Sequence, residues 1–194
     1  LNTHFLTGKR QPMSLYNKIC GENSKGDILC FVNDDIIIET PHWDARLREI
    51  DLLFKDSIYL CYPNDCFKGK SLSVFPIITR TVFKNFNMFP SIFKGSFIDS
   101  HIHETFRFLK GLGHNRIVYR DDIIFRHNHF RVTGTPPDAT YKNRDRFGDD
   151  KSFFKSVFSR DQIAKEMRDF IEKKISLPDN KSEVVLISNF NAFK

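Results

Sequence analysis

The chain has 194 residues, of which 40% are hydrophobic, so it is long and apolar enough for one folded domain with a sizeable core. Its mean hydropathy is -0.39, and no apolar run approaches the ~20 residues that a membrane-spanning helix needs. Residues 1–15 also lack the apolar centre of a signal peptide. We therefore expect a cytoplasmic protein without a transmembrane segment, and leave a peripheral position on a membrane open.

The net charge is +6 and the isoelectric point is near 9.1, which favours anionic partners such as nucleic acid, an acidic membrane surface or a phosphorylated small molecule. The Lys and Arg residues are scattered, without an arginine-rich arm or an RNP-like pattern, so no nucleic acid is expected as a partner. The four cysteines include no C-x-x-C pair, which argues against a zinc site. The sequence does not indicate a particular oligomeric state.

The predicted elements begin with a helix over residues 14–22, where apolar residues recur at helical spacing. A strand follows over 28–32, and its continuous apolar run is typical of a strand buried on both faces. A second helix is predicted to begin at Pro41 with Thr40 as its N-cap. Its apolar stripe consists of Trp43, Leu47, Ile50 and either Leu53 or Phe54.

The remaining elements alternate in the same way. They are strands over 57–62 and 74–79, a short helix or turn over 81–87, a helix over 100–112, short strands over 116–119 and 123–125, a loop over 134–141, a helix over 159–174 and a strand over 183–187. Pro76 marks either an edge strand or a strand start, and Gly113 is a natural residue to end the helix before it. The alternation predicts an α/β fold with a mixed central sheet flanked by helices.

Two adjacent carboxylates follow the first strand, in the motif Asn33-Asp34-Asp35. Ligands of open α/β sheets collect beyond the carboxyl ends of the strands, and the repulsion between two carboxylates is relieved by a cation. Mg²⁺ or Mn²⁺ prefers such oxygen ligands. The alternative is an Asx-type turn that ends the strand, and spacing alone favours this turn.

A family resemblance rests on the stretch SLYNKICGENSKGDILCFVNDDIIIETPHWDARL. It resembles the core of nucleotide-sugar glycosyltransferases with the GT-A (Rossmann-like) fold, notably those of family 2. In that family a segment ending in Asn precedes a small helix, and a Gly-Asp pair then opens a buried strand. The strand ends in an acidic DxD motif, which is followed by a Pro-x-Trp helix. Asn17, Gly26-Asp27, Asn33-Asp34-Asp35 and Pro41-His42-Trp43 occupy these places, with Asn33 where the first acid often stands.

Two later stretches extend the likeness over roughly residues 8 to 150. FPIITRTVFKNFNMFPSIFKGSFIDSHIHETFRFLKGLG resembles the acceptor-side segment of these enzymes, in which an acid is the general base; Asp99 is the first choice and Glu104 the second. IIFRHNHFRVTGTPPDATY resembles the strand that ends in a metal-binding His and the loop that follows. The His would be His127 or His129, and the loop acid would be Asp138.

The resemblance implies a metal-dependent transfer of a sugar from a nucleoside-diphosphate sugar to a glycan or another hydroxyl acceptor, with inversion. Asp35 and His127 would hold Mn²⁺ or Mg²⁺, assisted by Asp34 or Asn33. The donor side would further include Asn17, with Lys9 and Arg10 as charges beside the diphosphate.

In domain terms, the resemblance implies a GT-A-like catalytic core over 1–150 and a C-terminal helical extension over 151–194 packed on the same domain. The βαβ unit that normally binds the nucleobase does not appear before this core. The chain is therefore expected to be a fragment, a partner of a separate βαβ polypeptide, or a reduced relative. The alternative function is a non-catalytic carbohydrate- or nucleotide-binding remnant of such an enzyme.

Simpler roles exist for several of these side chains. Asp99 could cap the helix that follows it, and the two histidines of the later strand could be ordinary hydrogen-bonded side chains. Lys9 and Arg10 could be mobile charges near the terminus. His101 and His103 are expected at the surface of their helix rather than as ligands.

Overall fold

The computed structural model describes residues 5–9, 11–136, 147–155, 158–173 and 184–189. In these ranges the chain has an α/β fold, in which a mixed sheet of six strands is flanked by helices. The predicted fold class is therefore confirmed. None of the described helices combines the length and the apolar character that crossing a bilayer requires.

The helices are α1 (Met13–Asn23), α2 (Trp43–Asp51), α3 (Arg80–Asn85), α4 (Ile98–Gly111), α5 (Phe130–Thr133), α6 (Phe147–Lys155) and α7 (Phe158–Glu172). The strands are β1 (Ile28–Asn33), β2 (Ile36–Ile38), β3 (Leu60–Asn64), β4 (Ile77–Thr79), β5 (Ile117–His127) and β6 (Val184–Asn189). A short 3-10 helix covers Gly69–Ser71.

The strands lie in the order β2-β5-β3-β4-β1-β6. β4 is antiparallel to both β1 and β3, β5 is parallel to β3, and β6 is parallel to β1. Four strands, β1, β3, β5 and β6, therefore run in one direction. Their carboxyl ends meet at one edge of the sheet, which we call the carboxyl edge.

Alternate residues of β1 enter two hydrophobic layers on opposite faces of the sheet, as strand geometry requires. Leu29 and Phe31 belong to the layer covered by α4 and α7, which we call the α4 layer. Ile28, Cys30 and Val32 belong to the layer covered by α2, which we call the α2 layer.

The two layers draw on the helices of both halves of the chain. The buried helical side chains of the α4 layer include Ile102, Phe106, Leu109, Ile163, Ala164 and Met167. Those of the α2 layer are Leu47 and Ile50. The segment from residue 151 onward thus contributes α7 to the core and β6 to the sheet, where β6 pairs with β1.

Several predicted boundaries agree with the structure to within two residues, among them those of α1, β1, α4 and α7. Gly113 has φ +98, a value that glycine adopts without steric strain, and it directly follows Leu112, the C-cap residue of α4. Pro76 immediately precedes β4, which is an internal strand. The proline therefore marks a strand start and not a sheet edge.

The predicted gap between strands 116–119 and 123–125 does not occur, because both belong to the single strand β5. The polar residues Arg120 and Asp122 resemble a turn in the sequence, but they form an ion pair of 2.6 Å within the strand. The register against β3 shifts between Pro63 and Asn64. A bulge thus accommodates the polar residues without ending the strand.

Other differences concern the strand β2, the helix α6 and the start of α2. The hydrophobic pattern of the sequence predicted neither the strand β2 nor the helix α6. β2 spans only three residues, which is too short for a recognisable pattern. The helix α2 begins at Trp43 and not at Pro41. His42, with φ +55, occupies the N-cap position, so the predicted cap at Thr40 is wrong. The Thr40 hydroxyl instead accepts a hydrogen bond from the Ile124 backbone N–H at 2.8 Å.

Candidate functional site

All four parallel strands end in polar residues at the carboxyl edge. β1 ends at Asn33, β3 at Asn64, β5 at His127 and β6 at Asn189. These positions lie far apart in the sequence, and the sheet order brings them to the same side of the molecule. This edge is the place where ligands of open α/β sheets bind.

Asp35 and His127 are in direct contact at this edge. The His127 Nε2 lies 3.1 Å from the Asp35 Oδ2, although the residues are 92 positions apart in the chain. The His127 side chain is 5% exposed and that of Asp35 is 25% exposed, so the pair opens to solvent on the aspartate side.

The backbone holds this pair in place. β2 pairs with β5 such that Ile36 lies opposite His127. The Asn128 backbone N–H also donates to the Asp35 carbonyl oxygen at 2.8 Å. The position of the pair is therefore fixed by strand pairing, independently of the two side chains.

The electrostatic environment keeps Asp35 ionised. Burial of its carboxyl group by itself raises the pKa, but the hydrogen bond and charge of His127, together with the charge of His129, outweigh burial. The pKa of Asp35 therefore lies below its ordinary value. A carboxylate that is ionised at neutral pH is able to bind a cation.

Aromatic rings surround His127. The ring of Phe75 lies 5.0 Å away, that of His129 5.1 Å and that of Phe67 6.1 Å, all in edge-on orientation. His129 stacks on Phe67 and accepts a hydrogen bond at its Nδ1 from the Arg131 backbone N–H. Of the two candidate histidines, His127 contacts Asp35 directly at 3.1 Å, and His129 acts on Asp35 through its charge.

Asp65 is a part of this edge that the sequence analysis did not identify. Its buried carboxylate accepts hydrogen bonds from the backbone N–H groups of Phe67, Lys68 and Gly69. Its carbonyl oxygen accepts the His127 backbone N–H at 3.0 Å. The Asn-Asp pair that ends β3 repeats the Asn33-Asp34 pattern that ends β1, and this repetition was the signal available in the sequence.

The Asp35–His127 pair fits two neighbouring ligands of an octahedral cation. With metal–ligand bonds of about 2.1 Å, adjacent ligand atoms are about 3.0 Å apart, close to the observed 3.1 Å. Among the described residues, no group of three or more His, Cys, Asp or Glu side chains is placed to hold a metal. A cation bound here would therefore complete its shell with oxygens of a ligand or of water.

The same contact also occurs as an ordinary hydrogen bond in the absence of a cation. Asp35 then accepts the Nε2–H of His127, and in this tautomer the Nδ1 carries the lone pair. This Nδ1 is buried and has no hydrogen-bond partner among the described residues, so it is not open to a substrate. The arrangement therefore suits cation binding better than general base catalysis by His127.

The two candidates for the acceptor-side base lie in a different layer from His127. Asp99 and Glu104 belong to α4, whereas the His127 ring packs against Phe75 of the α2 layer. The Asp99 carboxylate accepts the Ser100 backbone N–H at 2.7 Å. The N-cap of α4 is Phe97, so a capping role for Asp99 is wrong.

The Glu104 side chain is partly exposed on the surface of α4. Its carboxylate forms an ion pair of 2.7 Å with Arg107, one helical turn further on. Glu104 is thus paired within its own helix, and Asp99 is hydrogen-bonded to the backbone of the same helix.

The residues predicted to bind the donor belong to different parts of the chain. Asn33 is half-buried at the end of β1, Asp34 is exposed beside it, and Asn17 is buried on α1. Lys9 is exposed. Arg10, and also Asp138 of the predicted loop, lie outside the described residues.

His101 and His103 were predicted at the surface of α4, and this prediction is wrong because both are buried. The buried face of α4 is wider than its apolar stripe, since the polar residue Thr105 is also buried. The Nδ1 of His103 accepts the Ser73 backbone N–H at 3.2 Å, which compensates for the burial of that ring.

Comparison with known proteins adds no relative. No family model, no curated protein and no solved structure matches the chain.

Proposed function

We propose that this chain is a metal-dependent glycosyltransferase that moves a sugar from a nucleoside-diphosphate sugar to an acceptor hydroxyl. The observation that carries the proposal is the contact between Asp35 and His127 at the carboxyl edge. The family resemblance implies that Asp35 meets His127 or His129, and His127 lies 92 residues further along the chain. A chance likeness in sequence gives no reason for such a contact.

The residues present would act as follows. Asp35 and His127 would hold Mn²⁺ or Mg²⁺, and the bound cation would supply positive charge to neutralise the leaving diphosphate. Lys68 is exposed, and its Nζ lies 4.6 Å from the centre of the Phe67 ring beside the two histidines, where it could add positive charge for the phosphates. Asp99 would take the proton of the acceptor hydroxyl as it attacks the anomeric carbon.

A non-catalytic remnant that binds a nucleotide or carbohydrate is the second candidate. The observation that favours it is the placement of Asp99 and Glu104 on α4, in the layer opposite the one that His127 contacts. In a remnant the cation pair would remain functional while the acceptor-side base would have no role in catalysis.

Binding of Mn²⁺ with inorganic pyrophosphate tests the cation pair, because pyrophosphate supplies the two phosphates without a choice of nucleobase. Electron paramagnetic resonance of free Mn²⁺ should show binding to the wild-type chain that tightens with pyrophosphate. Asp35→Asn and His127→Gln should each weaken this binding at least about tenfold, since each removes one of two protein ligands. The matched control is Asp44→Asn, which removes an exposed carboxylate paired with Arg48.

Wild-type binding that is absent, or that is unchanged in both variants, would contradict the cation site. Release of nucleoside diphosphate from a panel of uridine- and guanosine-diphosphate sugars then separates the two candidate functions. Mn²⁺-dependent release that Asp99→Asn abolishes supports the transferase. Pyrophosphate binding without any release supports the remnant.

A further inference from the structure

Asp65 closes a tight turn at the carboxyl edge, between the end of β3 and the short 3-10 helix. It is 2% exposed. Its Oδ1 accepts the backbone N–H groups of Phe67, Lys68 and Gly69 at 2.7 to 3.2 Å, and its Oδ2 accepts that of Lys68 at 3.1 Å. Hydrogen bonds to a carboxylate are about twice as strong as those between neutral groups. The Asp65 side chain therefore holds the shape of the turn, and its oxygens are engaged by the backbone.

This turn contacts His127 in two ways. The Asp65 carbonyl oxygen accepts the His127 backbone N–H at 3.0 Å, which holds the end of β5 beside the turn. The ring of Phe67, whose backbone N–H is bound to Asp65, lies 6.1 Å from the His127 ring in edge-on orientation. The same Phe67 ring stacks on His129 at 5.3 Å. Asp65 thus supports both a backbone contact and a ring contact of His127.

The direction of the His127 ring decides whether it can act together with Asp35. The His127 Nε2 lies 3.1 Å from the Asp35 Oδ2, and hydrogen bonds weaken steeply when the donor turns away from the acceptor. The rings of Phe67 and Phe75 both pack edge-on against the imidazole and limit its rotation. Phe75 is 1% exposed and belongs to the α2 layer. Phe67 is therefore the ring contact that depends on the turn.

We propose that Asp65 is a positioning residue of the cation site, which acts through the turn at Phe67 to hold the His127 imidazole with its Nε2 toward Asp35. The consequence for cation binding rests on the proposed function. Groups that support the ligands of a metal fix their orientation, and replacing such a group typically weakens metal binding about 10- to 100-fold. Asp65 would act in this way on His127, without touching the cation.

Asp65→Asn tests the proposal, because the amide keeps the size of the side chain and one acceptor oxygen but loses the charge. The variant should therefore still fold. The first measurement uses the metal-free chain, in which NMR follows the exchange of the His127 Nε2 proton with water. Its exchange should be at least about tenfold faster in Asp65→Asn, since the turn is then held by weaker hydrogen bonds and opens more often. The signal is assigned by its absence in His127→Gln.

The second measurement is the binding of Mn²⁺ with inorganic pyrophosphate, followed by electron paramagnetic resonance. Asp65→Asn should weaken this binding about tenfold. Asp150→Asn is the matched control, because the Asp150 carboxylate is 1% exposed and also accepts three backbone N–H groups, but in the segment before α4. The control should lose a similar amount of stability in denaturant and leave both measurements at their wild-type values.

Faster exchange together with weaker Mn²⁺ binding in Asp65→Asn, and not in Asp150→Asn, supports the positioning role. Exchange that is unchanged, or equally fast in both variants, overturns it. Weaker binding with unchanged exchange would mean that the Asp65 charge acts on the cation directly, and faster exchange with wild-type binding would mean that the ring direction does not matter to the cation. Both results also overturn the proposal. If the wild type binds no Mn²⁺, the cation site itself fails, and the exchange measurement still decides whether Asp65 positions His127.

Discussion

His101 is a buried imidazole on α4, and its protonation is opposed by the fold. Burial lowers its pKa from 6.5 to about 4; the hydrogen bond to Asn87 partly offsets this effect and the charge of Arg160 adds to it. The folded state therefore binds fewer protons than the unfolded state between these two pH values. Stability is highest above pH 6.5 and is lost progressively as the pH falls toward 4.

We expect the free energy of unfolding to fall by about 3 kcal/mol over this interval, since each pKa unit corresponds to about 1.4 kcal/mol. Urea unfolding in buffers from pH 7 to pH 4 measures the decrease. The His101→Gln variant should lack the share of the decrease that comes from protonation of His101. His114→Gln is the control, because His114 pairs with Glu172 away from the core. An unchanged pH profile in His101→Gln would show that His101 remains accessible to protons in the folded state.

Some individual residues of the site could be predicted and others could not. The family resemblance implied that Asp35 meets either His127 or His129, and the structure shows the contact with His127. The burial of His101 was not expected, because the apolar stripe of Ile102 and Phe106 defined only one face of α4. Histidine is apolar enough to extend that face, and hydropathy patterns do not mark it as such.

At the scale of elements, Asp150 connects α6 to the loop that precedes α4. Its carboxylate is 1% exposed and accepts the backbone N–H groups of Lys94, Gly95 and Ser96 at 2.8 to 3.0 Å. These three donors lie within a few residues of Asp99. The short helix α6 thus determines the shape of the segment that leads into the candidate base.

Replacing Asp150 by Ala should lower the free energy of unfolding by about 3 kcal/mol, because buried N–H groups lose a charged acceptor. Denaturant unfolding measures this loss, and amide exchange should show faster exchange at Lys94, Gly95 and Ser96. Asp169→Ala removes a surface carboxylate paired with Arg168 and should change stability by less than about 0.5 kcal/mol. Equal losses in both variants would contradict the role given to Asp150.

Elements with a strong local signal were predictable, and short or interrupted ones were not. The apolar run of β1 and the spacing of α4 determine those elements locally. β2 has three residues and exists because it pairs with β5. The continuity of β5 across its polar centre likewise depends on its neighbours in the sheet, which local sequence does not reveal.

At the scale of the molecule, the late helix α7 belongs to the same core as the early strands. Met167 and Ile163 of α7 are buried in the α4 layer together with Leu29 and Phe31 of β1. A core shared in this way should unfold as one cooperative unit.

Met167→Ala should lower the free energy of unfolding by about 3 kcal/mol through the cavity that it leaves. Circular dichroism in the far and near ultraviolet should still follow one coincident transition. Leu53→Ala is the control, since Leu53 is 73% exposed. A separate early loss of helical signal would show that α7 unfolds independently of the sheet.

The position of β6 also bears on the solubility of the protein. β6 pairs along the full length of β1, whose residues 28–32 form an uninterrupted apolar run. If β6 left the sheet, the backbone donors and acceptors of an apolar strand would be open to a second chain. Self-association of such a partly opened state would then join molecules at the strand that leads directly to Asp35, so aggregation would obstruct the candidate site.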